Sequence, residues 1–264
     1  MSLPVPSKES VVVVTGASSG IGAELTRQLA ALGHDLVVVA RREDRLQELA
    51  DDVRVGHGVD VIVHAADLQL REARLALLGA VADQGRHIVG LANNAGYGSS
   101  GRAWELDLDH EEGEIQLNVA ALHHLTLAVV PEMVRRRAGA VLNVASAAAF
   151  QPMPGMATYA ATKAFVQSFS EALHAELAGS GVSVTTLCPG PVDTEFGAVA
   201  GIDEGVFPGV LKVSAEEVAA QAVRGMLTGK RSVVPGPQTK VLSLAGRYAP
   251  RTVLLPAMRR QTLS

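Results

Sequence analysis

The chain has 264 residues, of which 48% are hydrophobic, 19% charged and 3% aromatic, a balance that excludes a disordered or low-complexity protein. The net charge of −4 gives no general excess of cations for nucleic acid, and the single cysteine, Cys188, excludes an internal disulfide or a thiolate metal site. No stretch reaches the roughly 18 uninterrupted apolar residues of a membrane span, and "MSLPVPSKES" lacks the apolar run of a signal peptide, so a cytoplasmic location is expected.

Strand-like and helix-like segments alternate along the chain. "VVVVTGAS" (11–18) leads into a helical pattern through Leu32, and "DLVVVA" (35–40) into a second through Val53. "DVIVHAADL" (60–68), "HIVGLANNAG" (87–96), "GAVLNVAS" (139–146) and "VSVTTLCPG" (182–190) predict further strands, separated by lengths that suit crossover helices. Such repeated β-α units with near-continuous β-branched runs predict one α/β domain over 1–264, a doubly wound parallel sheet with helices on both faces. The Gly- and Pro-containing stretch 191–213 breaks the rhythm at a strand end, and is expected to be a substrate-binding flap. Ser214 and Glu217 form a capping box for the helix that follows, and "SVVPG" (232–236) suggests a last strand. From 230 to 264 there are seven Lys or Arg and no Asp or Glu, so the first 229 residues carry 16 basic and 27 acidic side chains. The apolar clusters in this basic tail predict a subunit interface or substrate lid, with peripheral contact to an anionic membrane as the alternative; Pro250 and Pro256 oppose one long amphipathic helix.

"TGASSGIG" (15–22) joins the first strand to the first helix. Gly16 suits a tight turn, Gly20 a close backbone approach to a ligand, and Gly22 close packing of helix on sheet. Free N–H groups at the helix start then favour an anion such as a pyrophosphate.

With "NNAG" (93–96), Ser146 at the end of the fifth strand, "YAATK" (159–163) and "PG" (189–190) in that order, the chain resembles the short-chain dehydrogenase/reductase family. The motifs span residues 15 to about 196. The resemblance implies a Rossmann-type fold and hydride transfer between a nicotinamide cofactor and a carbonyl or alcohol substrate. In the loop it makes Gly16, Ser18, Ser19, Gly20 and Ile21 the candidate cofactor contacts. Where NAD enzymes of dinucleotide folds place an acidic residue at the end of the second strand, this chain has Arg41 and Arg42. A guanidinium grips a 2′-phosphate with paired, charge-assisted hydrogen bonds, so NADPH/NADP+ is expected over NAD(H). One arginine pairing instead with Glu43 or Asp44, or capping the next helix, is the competing outcome. By the same resemblance Asp67 and Leu68 contact the adenine, Asn93, Ala95 and Gly96 lie beside the adenine ribose, and Pro189, Gly190, Val192 and Thr194 close over the nicotinamide carboxamide.

Tyr159 and Lys163 stand four apart in a helical stretch and so share a face. A positive charge about 5 Å from the phenol, at an effective dielectric near 20, contributes roughly 3 kcal/mol, which lowers its pKa by about two units. The resemblance makes Tyr159 the proton donor and acceptor, Lys163 its partner and a ribose contact, Ser146 a donor to the substrate oxygen, and Asn118 the helix-kinking residue that supports a water relay. Phe150, Met153, Met156, Phe196, Val206 and Phe207 favour an apolar substrate such as a 3-ketoacyl chain, steroid or hydrophobic ketone, with plain packing as the equal alternative. Cys188 is expected to be a buried small hydrophobe. His123 and His124 are adjacent rather than spaced as ligands, and no metal is expected. The resemblance implies a homodimer or homotetramer. A sugar-nucleotide epimerase and a non-catalytic dinucleotide-binding redox sensor are the alternatives. The first differs in glycine spacing and in its substrate lobe, and the second need not keep the Ser, Tyr, Lys and Asn set.

Overall fold

The β-branched runs form seven parallel strands of a single sheet. In the computed structural model, which describes residues 3–202 and 212–262, these are β1 (Ser10–Thr15), β2 (Leu36–Ala40), β3 (Val61–Ala65), β4 (His87–Asn93), β5 (Gly139–Val144), β6 (Val182–Leu187) and β7 (Ser232–Val233). The order β3-β2-β1-β4-β5-β6-β7 reverses direction between β1 and β4, which opens a crevice at the carboxyl ends of those two strands. Strand residues alternate between two apolar cores. Val12, Val14, Leu36 and Val38 face α1 (Gly20–Ala31), α2 (Glu43–His57) and, at residues 215–228, the helix before β7. Val11, Val13, Val37 and Val39 face the opposite layer, built from α3 (Arg71–Ala82) and the helices before and after β5.

Each strand ends earlier than its apolar run suggests. β1 stops at Thr15, β3 at Ala65, β4 at Asn93, β5 at Val144 and β6 at Leu187. The residues beyond them, which carry the motifs, are loops above the sheet. Gly16 takes a left-handed φ of 66° immediately after β1, which a continuing strand does not allow.

Between β4 and β5 runs one continuous helical stretch: α4 (Leu108–Ile115), a π-helical segment (Gln116–Ala121) and α5 (Leu122–Arg136). By length and composition alone, Leu108–Arg136 is long and apolar enough to cross a membrane. Here Leu125, Val129 and Met133 are buried against the sheet. After β5 come a 3₁₀ turn (Ala147–Phe150) and α6 (Ala157–Glu176).

The flap expected over 191–213 is described at both ends. Val192 bridges Val213, and a short helix, α7 (Phe196–Val199), stands between them; Val206 and Phe207 lie outside the described residues. Ser214 caps α8 (Ala215–Thr228) by accepting a hydrogen bond from the Glu217 N–H at 3.2 Å. The basic tail contributes β7, then α9 (Pro237–Tyr248) and α10 (Arg251–Thr262). The helical run breaks at Ala249–Pro250 as the prolines suggest, but Pro256 sits inside α10, where it leaves a carbonyl one turn back without its helical donor.

Candidate active site

The glycine loop is shaped by the segments that follow β4 and β6. A Cβ on Gly16 would lie 2.8 Å from the Ala95 Cα, and one on Gly20, whose φ is 53°, would lie 2.9 Å from the Thr194 methyl. Gly22 clears the Gly16 carbonyl and the Asn94 amide, a tighter constraint than the helix–sheet packing expected of it. Asn94 holds the loop: its Nδ2 donates to the carbonyls of Thr15 and Gly16 at 3.0 and 3.2 Å. The Thr15 hydroxyl in turn accepts from the N–H groups of Asn94 and Ala95. Ser19 precedes α1 but makes no side-chain cap, because its hydroxyl accepts from Arg42 instead. The helix start therefore keeps an uncapped, positively polarised end facing the crevice.

At the end of β2 the two arginines part company. Arg41 is exposed and, among the described residues, makes no hydrogen bond or ion pair. Arg42 donates to the Ser18 and Ser19 hydroxyls and, at 2.8 Å, to Glu195. It pairs with neither Glu43 nor Asp44. A third cation, Arg45 in the first turn of α2, holds the other oxygen of Glu195 at 2.5 Å. Both Arg45 and Glu195 escape a reading of local motifs.

Asp67 follows β3, half-buried, with Oδ1 accepting from the Gln69 N–H at 3.0 Å, while Leu68 is buried in the core. Asn93 departs from expectation. It shares a strand face with Leu91, so its side chain points into the protein and donates to Thr126 and Asn143, both at 2.9 Å. Only its backbone faces the crevice end of β4. Gly96 lies against two of the candidate catalytic residues: a Cβ there would meet the Asn118 Oδ1 at 2.8 Å and the Lys163 Nζ at 3.4 Å.

Tyr159 and Lys163 emerge from the first turns of α6, both buried. Lys163 Nζ lies 5.7 Å from the Tyr159 ring centroid and donates to the Val144 carbonyl at 2.9 Å. Ser146, just past β5, accepts from the Ala148 N–H at 3.1 Å, and its hydroxyl stands near enough to the Tyr159 phenol to pull the phenol's pKa down. Asn118 lies in the π-helical segment, donating to the Tyr97 carbonyl at 2.8 Å and to Thr162 at 3.1 Å. All four residues named from sequence thus converge.

The electrostatics correct one expectation. Burial pushes the Tyr159 phenol up to about 12, against the pull of the nearby Ser146 hydroxyl, and burial pushes Lys163 down to about 8, against the charge of Glu114. Within the protein alone desolvation dominates the phenol, and the group that opposes it is Ser146 rather than Lys163. Glu114, fully buried on α4, was not legible as a site residue. It accepts from Ser99 at 3.1 Å, its second oxygen has no partner among the described residues, and burial raises its pKa to about 7.

The mouth of the site is apolar. Met153, Met156, Phe196 and Ile202 pack beside Tyr159, with the Phe196 and Tyr159 ring centroids 5.2 Å apart. Phe150 packs instead with Ala145, Val166 and Cys188. Cys188 is fully buried, and burial pushes its thiol up to about 12, so it is a small apolar residue here. Val192 lies partly buried against the core, Ile21 likewise, and the Pro189 carbonyl accepts from the Ala147 N–H at 2.8 Å. Gly190 is overlaid by Thr239 of α9, which brings the tail to the site.

A glycine cradle that a Cβ would fill, an uncapped helix N-terminus and cations at the end of β2 together fit a nicotinamide dinucleotide. A model of the short chain dehydrogenase family matches residues 10–204. This chain belongs to the short-chain dehydrogenase family. As an oxidoreductase of that family it acts between alcohol and carbonyl groups. An NADP-dependent 3-hydroxy acid dehydrogenase of Escherichia coli is 37% identical over 191 residues, 72% of this chain and 75% of that one. A short-chain dehydrogenase from Sphingobium yanoikuyae, solved with NADPH, superposes with a TM-score of 0.81 at 36% identity, covering 95% of this chain and 97% of the other. A bulky-bulky ketone specific alcohol dehydrogenase from Comamonas testosteroni gives 0.77 at 28% identity, with 96% and 93% covered.

Proposed function

We propose that this short-chain dehydrogenase reduces an apolar ketone or aldehyde to its alcohol with NADPH and runs the reverse reaction with NADP+. The observation that carries this reading is the buried Tyr159 with the Lys163 Nζ 5.7 Å from its ring, in the same crevice as an arginine-lined anion site.

The cofactor, when bound, supplies or accepts the hydride. Tyr159 donates its phenolic proton to the carbonyl oxygen, or takes the alcohol's proton in reverse. Ser146 donates to the same oxygen and stabilises the charge that develops there. Lys163 sits near enough to favour the phenolate once the proton has left. Asn118, tied to Tyr97 and Thr162, fixes the widened turn behind Lys163. Arg41 and Arg42 supply the charge for a 2′-phosphate, with Ser18 and Ser19 orienting the second guanidinium. The wall of Met153, Met156, Phe196 and Ile202 favours an apolar substrate and keeps water from the phenol. The names of the Escherichia and Comamonas relatives, an NADP-dependent enzyme and a bulky-ketone enzyme, support the cofactor and the substrate class. A homodimer or homotetramer completes the proposal.

The test is a panel of hydrophobic ketones and 3-oxoacyl compounds, followed by NADPH absorbance. Tyr159→Phe is expected to lose turnover by roughly 10²- to 10⁴-fold, the span of general acid catalysis, while NADPH binding changes little. Near-normal turnover of the phenylalanine variant would remove Tyr159 from the chemistry.

A further inference from the structure

The bridge between Arg42, Glu195 and Arg45 has no part in the hydride chemistry. Two guanidiniums hold the two oxygens of one carboxylate, at 2.8 Å from Arg42 and 2.5 Å from Arg45. The Nε and Nη2 donors of Arg42 go to Ser18 and Ser19. Carboxylate and phosphate are recognised by the same planar fork of N–H donors. The anion site at the end of β2 is therefore filled by an anion of the chain itself, 153 residues from Arg42. Hydrogen bonds from Arg45 and then Arg42 hold the Glu195 carboxyl down to about 2, so it stays ionised at any working pH.

Its neighbours link the bridge to the rest of the site. Thr194 sits over Gly20 of the glycine loop, and Phe196 packs on the ring of Tyr159. Three successive residues thus touch the phosphate-binding loop, the arginines and the catalytic tyrosine.

We propose that Glu195 is a specificity-determining residue whose carboxylate stands in for the cofactor's 2′-phosphate on Arg42 and Arg45 and must be displaced by it. The inference rests on the NADPH reading above and deepens it. A 2′-phosphate and the Glu195 carboxylate repel each other and seek the same donors. A 2′-hydroxyl carries no charge and leaves the bridge in place. Glu195 therefore weakens NADPH binding selectively and narrows the enzyme's preference over NADH. Arg41, unpaired among the described residues, is the cation that draws the phosphate in before the bridge opens.

Calorimetric titration of the full chain with 2′,5′-ADP, 5′-AMP, NADPH and NADH tests this. Glu195→Gln keeps the shape and removes the charge; Glu195→Ala removes the competitor outright. Both are expected to bind 2′,5′-ADP and NADPH at least fivefold more tightly than wild type, with 5′-AMP and NADH within twofold. Unchanged or weaker binding of 2′,5′-ADP by both variants overturns the proposal. The parent reading fails separately: it falls if wild type does not prefer 2′,5′-ADP to 5′-AMP and Arg41→Ala, Arg42→Ala alters neither. If that preference is present and the Glu195 variants do not tighten it, the NADPH reading stands and only the displacement falls.

Discussion

Glu114 shows how one buried side chain makes stability depend on pH. Its carboxyl is fully buried with a single hydroxyl partner, Ser99, and burial raises its folded pKa to about 7. In the unfolded chain a glutamate titrates near 4.3. Between those values the folded state holds a proton that the unfolded state has lost, so stability falls as pH rises. The contribution is fully present below about 4.3 and is lost as pH passes 7, on the order of 3 kcal/mol in all. Glu114→Gln keeps a polar group of the same shape and abolishes the titration. Urea unfolding at pH 5 and pH 8 is expected to show the variant gaining on wild type by about 2–3 kcal/mol between the two. A difference independent of pH would mean that the carboxyl is not perturbed.

At the scale of elements, the site depends on how closely β4's following loop approaches the π-helical segment and α6. Gly96 lies where these three meet, and any Cβ presses on Asn118, whose amide is already held by Tyr97 and Thr162. Gly96→Ala is expected to cost about 1–3 kcal/mol, as overpacking does, and to lower kcat at least tenfold by shifting Asn118 and Lys163. Gly56 provides the control. It lies in α2, and a Cβ there would meet nothing within 4 Å, so Gly56→Ala should stabilise by about 0.5–1 kcal/mol and leave kcat alone. Thermal unfolding and steady-state kinetics on the pair separate crowding at the site from a general effect of losing glycine. Equal kcat in the two variants would show that the approach of Gly96 to Asn118 does not matter.

For the whole molecule the tail is two different things. Its first part belongs to the core: Val233 of β7 is buried, pairs with Leu187 and accepts the Cys188 N–H, and Thr239 of α9 covers Gly190. A cut after Gly229 would therefore remove a strand of the sheet along with the tail. The outer part differs. Val241, Leu242, Leu244 and Tyr248 of α9 and Val253 of α10 are more than half exposed, with the exposed Arg247 and Arg251 among them along the chain. That is the composition of a subunit interface with a basic rim. A chain ending at Ala249 loses α10 alone and is expected to remain folded, with its melting temperature within a few degrees of wild type. Light scattering is expected to show a dimer or tetramer for the full chain and a smaller or concentration-dependent mass for the shortened one. A monomeric full chain that floats with anionic liposomes would assign the surface to a membrane instead.

What the sequence by itself determined is what local patterns encode. Near-continuous valine runs buried on both faces specify parallel strands, a glycine-rich turn between strand and helix specifies an anion cradle, and a four-residue spacing puts Tyr159 and Lys163 on one face of α6. Tertiary structure alone decided which charges meet and which groups lose water. Arg42 finds Glu195 only because the loop after β6 folds over the glycine loop, and the partner of a long cation is not written in its neighbours. Asn93 turns inward because strand alternation places it with Leu91, under Thr126 of α5. The phenol of Tyr159 rises to about 12 because α6 buries it, whereas the i, i+4 spacing accounts only for the charge beside it. Spacing fixes direction; desolvation depends on everything packed around the group, and that is known only once the chain has folded.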